Sequence, residues 1–181
     1  MNESIFILKG NIVYSKNQTE FAICEHGYLV CKDGKVDGIY QTLPFRLGGN
    51  PIRDYGDCLI IPGLVDLHIH APQYSYRGLG MDMELLEWLE VNTFPEEAKF
   101  EEPDYAEKSY RIFTENIKNS ATTRACIFAT VHRPATLLLM DMLEKSGLDT
   151  YVGKVNMDRN CPDYICEETQ ESADETLEWI K

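Results

Sequence analysis

The feature that most constrains this chain is a change of pattern across residues 58–70, "CLIIPGLVDLHIH". Before it the chain reads as short β-rich arms separated by turn chemistry. "IFILKGNIVY" is followed by "GYLVCKDGKVDGIY", where Asp33-Gly34 between two strand-like runs signals a tight hairpin. "RLGGNPIRDYGD", rich in Gly, Pro and Asp, then leads to the boundary. After it, apolar runs of strand length alternate with stretches of helical period. Parallel strands need a crossover connection, so this alternation predicts a parallel sheet with helices packed on it. The fold class read from the pattern is α/β, with a β module at 1–60 and strand-helix units at 61–181.

The helical stretches are placed by caps and spacing. Asp82 is positioned to cap "MELLEWLEV", with Leu85, Leu86 and Leu89 on one face, and Ala106, Tyr110, Phe113 and Ile117 mark a second helix. Both are expected to pack on the sheet. "ATTRACIFATVH" is a β-branched and apolar strand, followed by a helix that Pro134 opens and Gly147 ends, with Leu138, Met142 and Leu143 facing inward. "TYVGKVNM" is a third strand, and the acidic "EETQESADETLEWIK" sets Ala173, Leu177 and Ile180 on one stripe. A closed eight-unit barrel takes ~250 residues, roughly 31 per unit. The residues after Ile61 therefore supply three or four units, short of a closed ring.

Composition narrows the function. An apolar share of 44% and a charged share of 26% over 181 residues match an ordinary globular protein. The formal net charge of -13 opposes a broad phosphate-binding surface, so neither nucleic acid nor an anionic membrane is an expected partner. The start, "MNESIFILKG", is acidic where a secretory leader is basic, and its apolar run breaks at Lys9. No apolar segment approaches the roughly 20 residues of a bilayer span. A cytoplasmic location is expected, and the six cysteines are read as reduced thiols. Cys161 and Cys166 lack both the CxxC spacing and the second ligand pair of a structural zinc site.

The chemistry is concentrated at residues 62–74, "PGLVDLHIHAPQY". Side chains two apart on a strand project from the same face, so His68 and His70 can aim both imidazoles at one point while Ile69 packs behind them. That is a bidentate metal clamp at a strand end, where parallel α/β folds gather their ligands. A hydrogen-bonded pair without metal is the plain alternative. Asp66 reads either as a carboxylate orienting an imidazole or as a strand-end hydrogen bond, and Gln73 as a loop residue bonded to backbone. The HxE with PCxxC signature of other zinc base deaminases, the GxxxxGK[ST] phosphate loop and the GxSxG elbow are all missing.

"IIPGLVDLHIHAPQY" resembles the first barrel strand of the metal-dependent amidohydrolase superfamily, whose members follow an N-terminal β module with a TIM-type barrel carrying HxH on that strand. Within it, "HAPQYSYRGLGMDMELLEWLEVNTFPEEAKF", "TTRACIFATVH" and "YVGKVNMD" are similar to the guanine deaminases, from about Pro62 to about Thr169. The resemblance implies that 1–60 is part of a β-sandwich and that 61–181 holds the first units of an incomplete TIM-type barrel. It makes His68 and His70 metal ligands, for zinc with iron as the alternative. It gives Gln73 the purine edge of guanine, since an amide both donates and accepts. The reaction implied is hydrolysis of guanine to xanthine and ammonia in purine catabolism and salvage, by a cytoplasmic homodimer when complete.

The same resemblance calls for two further histidines, an HxxE glutamate as proton shuttle and a late-strand aspartate, and these are not found in this sequence. Besides the pair there are only His26 and His132, and no histidine has a glutamate three positions on. His132 reads as a helix-opening histidine, with a third metal ligand as the alternative. The chain is therefore expected to be the N-terminal portion of a longer hydrolase, inactive and weakly metal-binding by itself, and prone to association through an open strand edge near "YVGKVNM". Two other readings stay open. One is a non-catalytic binding or scaffolding fragment of the same fold, and the other is a deaminase or chlorohydrolase for another aminopurine or a triazine.

Overall fold

The computed structural model describes residues 4–180. Part of the acidic start, "MNESIFILKG", lies outside them. The chain divides into two compact units, Met1–Pro62 and Gly63–Lys181.

In the first unit, Asp33 and Gly34 take φ of 48° and 77°, the two left-handed residues that a tight two-residue hairpin needs. They join β2 (Phe21–Lys32) to β3 (Lys35–Tyr40), so the predicted hairpin forms. β1 (Ile5–Ser15) pairs antiparallel with β2 and parallel with β4 (Ile52–Ile60), in the order β3-β2-β1-β4. Ile7 and Ile12 lie five apart and would face opposite sides of a regular strand. A register shift between Gly10 and Ile12 lets both be buried. Ile7, Val30 and Leu47 form the centre of this unit's core.

The second unit carries β5 (Leu64–His70), β6 (Thr122–Phe128) and β7 (Asp149–Gly153) in the order β5-β6-β7, all parallel. The β5-to-β6 connection contains α1 (Leu85–Trp88), α2 (Phe94–Ala98) and α3 (Pro103–Lys118). The β6-to-β7 connection is α4 (Arg133–Ser146), and α5 (Thr169–Ile180) follows β7. This is the strand-helix alternation expected. α3 buries Ala106, Tyr110, Phe113 and Ile117 as the spacing predicts. In α4, Pro134 lies in the first turn and Gly147 caps the end at φ 81°. Leu143 is fully buried and Leu138 and Met142 pack partly against the core, while Leu139, which the spacing does not single out, and Thr136 are fully buried as well. Each such fully buried Leu, Ile or Phe contributes roughly 1.5–3 kcal/mol.

Two helices depart from expectation. Asp82 does not cap α1, whose preceding residue is Glu84, and Leu85 and Leu86 are 69% and 74% exposed. The helix widens into a π turn at Leu89–Thr93 just before Pro95. Pro95 has no N–H to give Val91 and its ring would press on that carbonyl, so the turn must open there. The rotation this introduces turns the leucine face outward and brings Thr93 and Glu97 inside. In α5 the Ala173, Leu177 and Ile180 stripe faces solvent, and Ser172 is the buried residue. Hydrogen bonds from Ser172 and Thr176 hydroxyls to Asn156 Oδ1, at 2.9 and 3.1 Å, turn the polar face of the helix inward. No described helix is long and apolar enough to cross a membrane.

Candidate functional site

His68 and His70 close β5, and their rings share one side of it, with Nε2 atoms 3.1 Å apart. The period of two along the strand sets this side, and a local irregularity lies beside it. The β5–β6 register shifts between Asp66 and Ile69, setting three residues of β5 against two of β6. Within that shift the His68 N–H is bonded by Asp66 Oδ1 at 3.1 Å. Asp66 therefore holds the backbone of the histidine within its own strand, rather than orienting the ring or reaching a neighbouring loop. Ile69 packs against the core behind the pair.

Phe128, at the end of β6 and paired in register with His70, completes the surround. Its ring stacks on His70 at a centroid distance of 4.8 Å and tilts over His68 at 4.6 Å. Sequence reasoning missed this residue, although an aromatic at the end of a neighbouring parallel strand is the signal that could have found it. His70 Nδ1 is buried without a partner. Burial first, and then the neighbouring His68, lower the His70 pKa below its ordinary value, which favours the neutral imidazole that ligates metals.

These residues fit a divalent metal. Two imidazole nitrogens bound at about 2.0–2.1 Å in tetrahedral geometry stand about 3.3 Å apart, close to the separation of 3.1 Å between the two Nε2 atoms. Among the described residues no group of three or more His, Cys, Asp or Glu comes together to hold a metal. His132 does not join the pair. It precedes α4, where its carbonyl accepts hydrogen bonds from the Thr136 N–H and hydroxyl, as a helix-opening histidine does. Its Nε2 is buried without a partner, and burial pushes the ring below its ordinary pKa against the opposing pull of Glu101, the Glu97 backbone and Glu167. His26 lies in the first unit beside Asp57.

Gln73 sits three residues past His70 in a short turn, Pro72–Tyr76. It is half-buried, and among the described residues its side-chain amide takes no hydrogen-bond partner. The turn around it is pinned at every other side chain. Pro72 is buried, Tyr74 packs edge-on to Phe113, Ser75 Oγ donates to Glu96 at 2.7 Å, and Tyr76 donates to Thr93 at 3.0 Å. Glu96 also accepts from Tyr105 and Lys99. Burial alone would raise its pKa, but the bonds from Lys99, Tyr105 and Ser75 outweigh it and hold the carboxyl below its ordinary range. The turn thus leaves one polar side chain free and fixes the rest.

The other loop at this end of the sheet follows β7. Lys154, its side chain fully buried, bonds Glu167 at 2.6 Å and Asn156 at 2.9 Å, and Glu167 accepts from the Met157 N–H. Sequence reasoning missed this bridge, since a lysine after an apolar strand reads as the point where the chain meets water.

The amidohydrolase family model matches residues 59–181. The chain belongs to the amidohydrolase family. Members of the family are generally metal-dependent, and the α/β unit is part of their TIM-type barrel fold. Among curated relatives, the chain is 42% identical over 129 residues to the guanine deaminase of Dictyostelium discoideum, covering 71% of this chain and 29% of that protein. It is 49% identical over 123 residues to the human guanine deaminase, covering 66% and 27%. The chain thus spans under a third of the length of these relatives. A crystal structure of guanine deaminase from C. acetobutylicum, with guanine bound in its active site, matches with a TM-score of 0.93 and 47% identity. That match covers 98% of this chain and 42% of the other.

Proposed function

We propose that this chain supplies the first metal-binding strand and the purine-contact turn of a zinc-dependent guanine deaminase, which hydrolyses guanine to xanthine and ammonia. The observation that carries the reading is likeness over 98% of the chain to a guanine deaminase with guanine in its active site, a stretch that includes the paired imidazoles. In this reading 1–60 belongs to a β-sandwich and 61–181 to the first strand-helix units of the barrel. By the same resemblance the complete protein is a cytoplasmic homodimer.

His68 and His70 would hold zinc, or iron as the alternative, through their Nε2 atoms. The metal supplies, when bound, a water acidified enough to act as nucleophile near neutral pH. The chain's own residues do the rest of what is described here. Asp66 fixes the His68 backbone, Phe128 walls the rings with an apolar face, and the free amide of Gln73 can both donate to and accept from the mixed edge of guanine.

The test is ammonia and xanthine formation from guanine by the complete polypeptide that carries these residues. His68→Ala and His70→Ala should each lose bound zinc and more than about 100-fold in kcat/KM. Gln73→Ala should raise KM for guanine while leaving zinc content unchanged. A complete, zinc-loaded protein that leaves guanine intact removes the guanine assignment. Unchanged zinc content in both histidine variants removes the clamp. A polypeptide of residues 1–181 alone, with two imidazoles at the site, should release no ammonia and lose zinc readily to a chelator.

A further inference from the structure

Cys161 and Cys166 lie in the loop between β7 and α5, with Sγ atoms 2.7 Å apart. Unbonded sulfurs rarely come so close, and the separation is within an ångström of the roughly 2.05 Å of a bond. The loop that carries them is closed at its neck. The Glu167 N–H donates to the Met157 carbonyl at 2.7 Å, and the Met157 N–H donates to the Glu167 carboxylate at 2.8 Å. The buried Lys154 anchors that carboxylate in turn. Between the cysteines, the Ile165 N–H bonds the Pro162 carbonyl at 3.0 Å and folds the intervening residues into a turn. Both thiols are free, and the closed loop holds their sulfurs side by side.

We propose that Cys161 and Cys166 form a reversible oxidation site, closing to an intramolecular disulfide in the presence of a small-molecule disulfide such as oxidised glutathione. The two sulfurs have different roles. Cys166 is exposed, whereas Cys161 is half-buried with its Sγ turned toward the Met157 carbonyl. Burial, and then the hydrogen bond and charge of Cys166, push the Cys161 thiol up to about 11, which keeps it protonated until the second step. In the first step the Cys166 thiolate attacks one glutathione sulfur, the glutathione S–S bond breaks, and one glutathione thiolate leaves. In the second, Cys161 gives its proton to solvent and its sulfur attacks the Cys166 sulfur, expelling the other glutathione thiolate. Two protein thiols are oxidised and one disulfide is reduced to two thiols.

The position gives the bond a consequence. Cys166, Tyr164 and Ile165 line a hollow of about 590 Å³ together with His132 and Arg133, beyond the end of β6. Closing the bond therefore removes the free Cys166 thiol from the lining of that hollow, on the side of the sheet where this fold keeps its chemistry. The inference does not rest on guanine as substrate.

The experiment treats the complete protein with excess oxidised glutathione under native conditions, followed by digestion and mass mapping. The expected result is loss of two thiols, a mass about 2 Da lower, a peptide bridging 161 and 166, and full reversal by dithiothreitol. Cys161→Ser should instead stop at a stable glutathione adduct on Cys166, which shows the order of the steps. A wild-type protein that stops at such an adduct, that bridges other cysteines, or that keeps both thiols while the exposed Cys58 is modified overturns the proposal.

Discussion

Glu97 shows how far a single residue can escape pattern reading. It stands in "FPEEAKF", where a carboxylate would ordinarily be solvated, yet it is 3% exposed and its Oε2 has no partner. Burial pushes its pKa up to about 7, and the groups that feel its charge are the buried tyrosines 76 and 110. The folded state therefore holds this proton more tightly than the unfolded chain does. Its contribution to stability is fully present below the ordinary carboxyl range near 4.5, is lost as pH rises through about 7, and stays lost above. Over that window the loss amounts to at most about 3 kcal/mol. Glu97→Gln should remove this slope and leave the protein more stable than wild type at pH 8, as read from urea unfolding between pH 4 and 8. Parallel profiles for the two proteins would mean that the native carboxylate has found a partner.

At the scale of elements, the same helical period succeeds in α3 and fails in α5. In α3 the apolar residues at three-and-four spacing meet a sheet. In α5 the polar side chains Ser172 and Thr176 bond to Asn156 in the loop after β7, 16 and 20 positions back in the chain, and this decides which face turns in. Leu139→Ala in α4 should cost about 2–5 kcal/mol, because a fully buried Leu leaves a cavity. Leu177→Ala, 61% exposed on the stripe read as apolar, should stay within about 0.5 kcal/mol. Chemical unfolding of the two variants checks the observed burial against the amphipathic pattern, which counts Leu177 as a core residue. Lys154→Met should cost about 3–5 kcal/mol, since it leaves the Glu167 carboxylate buried without its cation. A neutral result would show that Glu167 is solvated through the loop.

At the scale of the molecule, β5 and β7 are the outer strands of the three-stranded parallel sheet. Tyr151 on β7 is 73% exposed, and Leu64, Val65 and Leu67 on β5 are all more than half exposed. Open parallel edges flanked by apolar side chains template pairing with another chain. A polypeptide of residues 1–181 should therefore self-associate, and sedimentation equilibrium reads this directly. A stable monomer at micromolar concentration would show that some segment covers the edges.

The α/β class, the hairpin at Asp33-Gly34, the strand of the histidine pair and the faces of α3 and α4 were all legible in the sequence. Each depends on short-range rules: period two along a strand, three-and-four spacing on a helix, and turn residues with φ above zero. The same-side placement of His68 and His70 was legible for that reason too. Tertiary structure alone decided what depends on residues distant in sequence. It set Phe128 against the imidazoles, buried Glu97 beside Tyr76 and Tyr110, and closed the Lys154–Glu167 bridge at the neck of the loop that carries Cys161 and Cys166. The physical reason is desolvation. Whether a polar group lies in water or in the core depends on which surfaces the fold brings over it, and no local period in the chain records that.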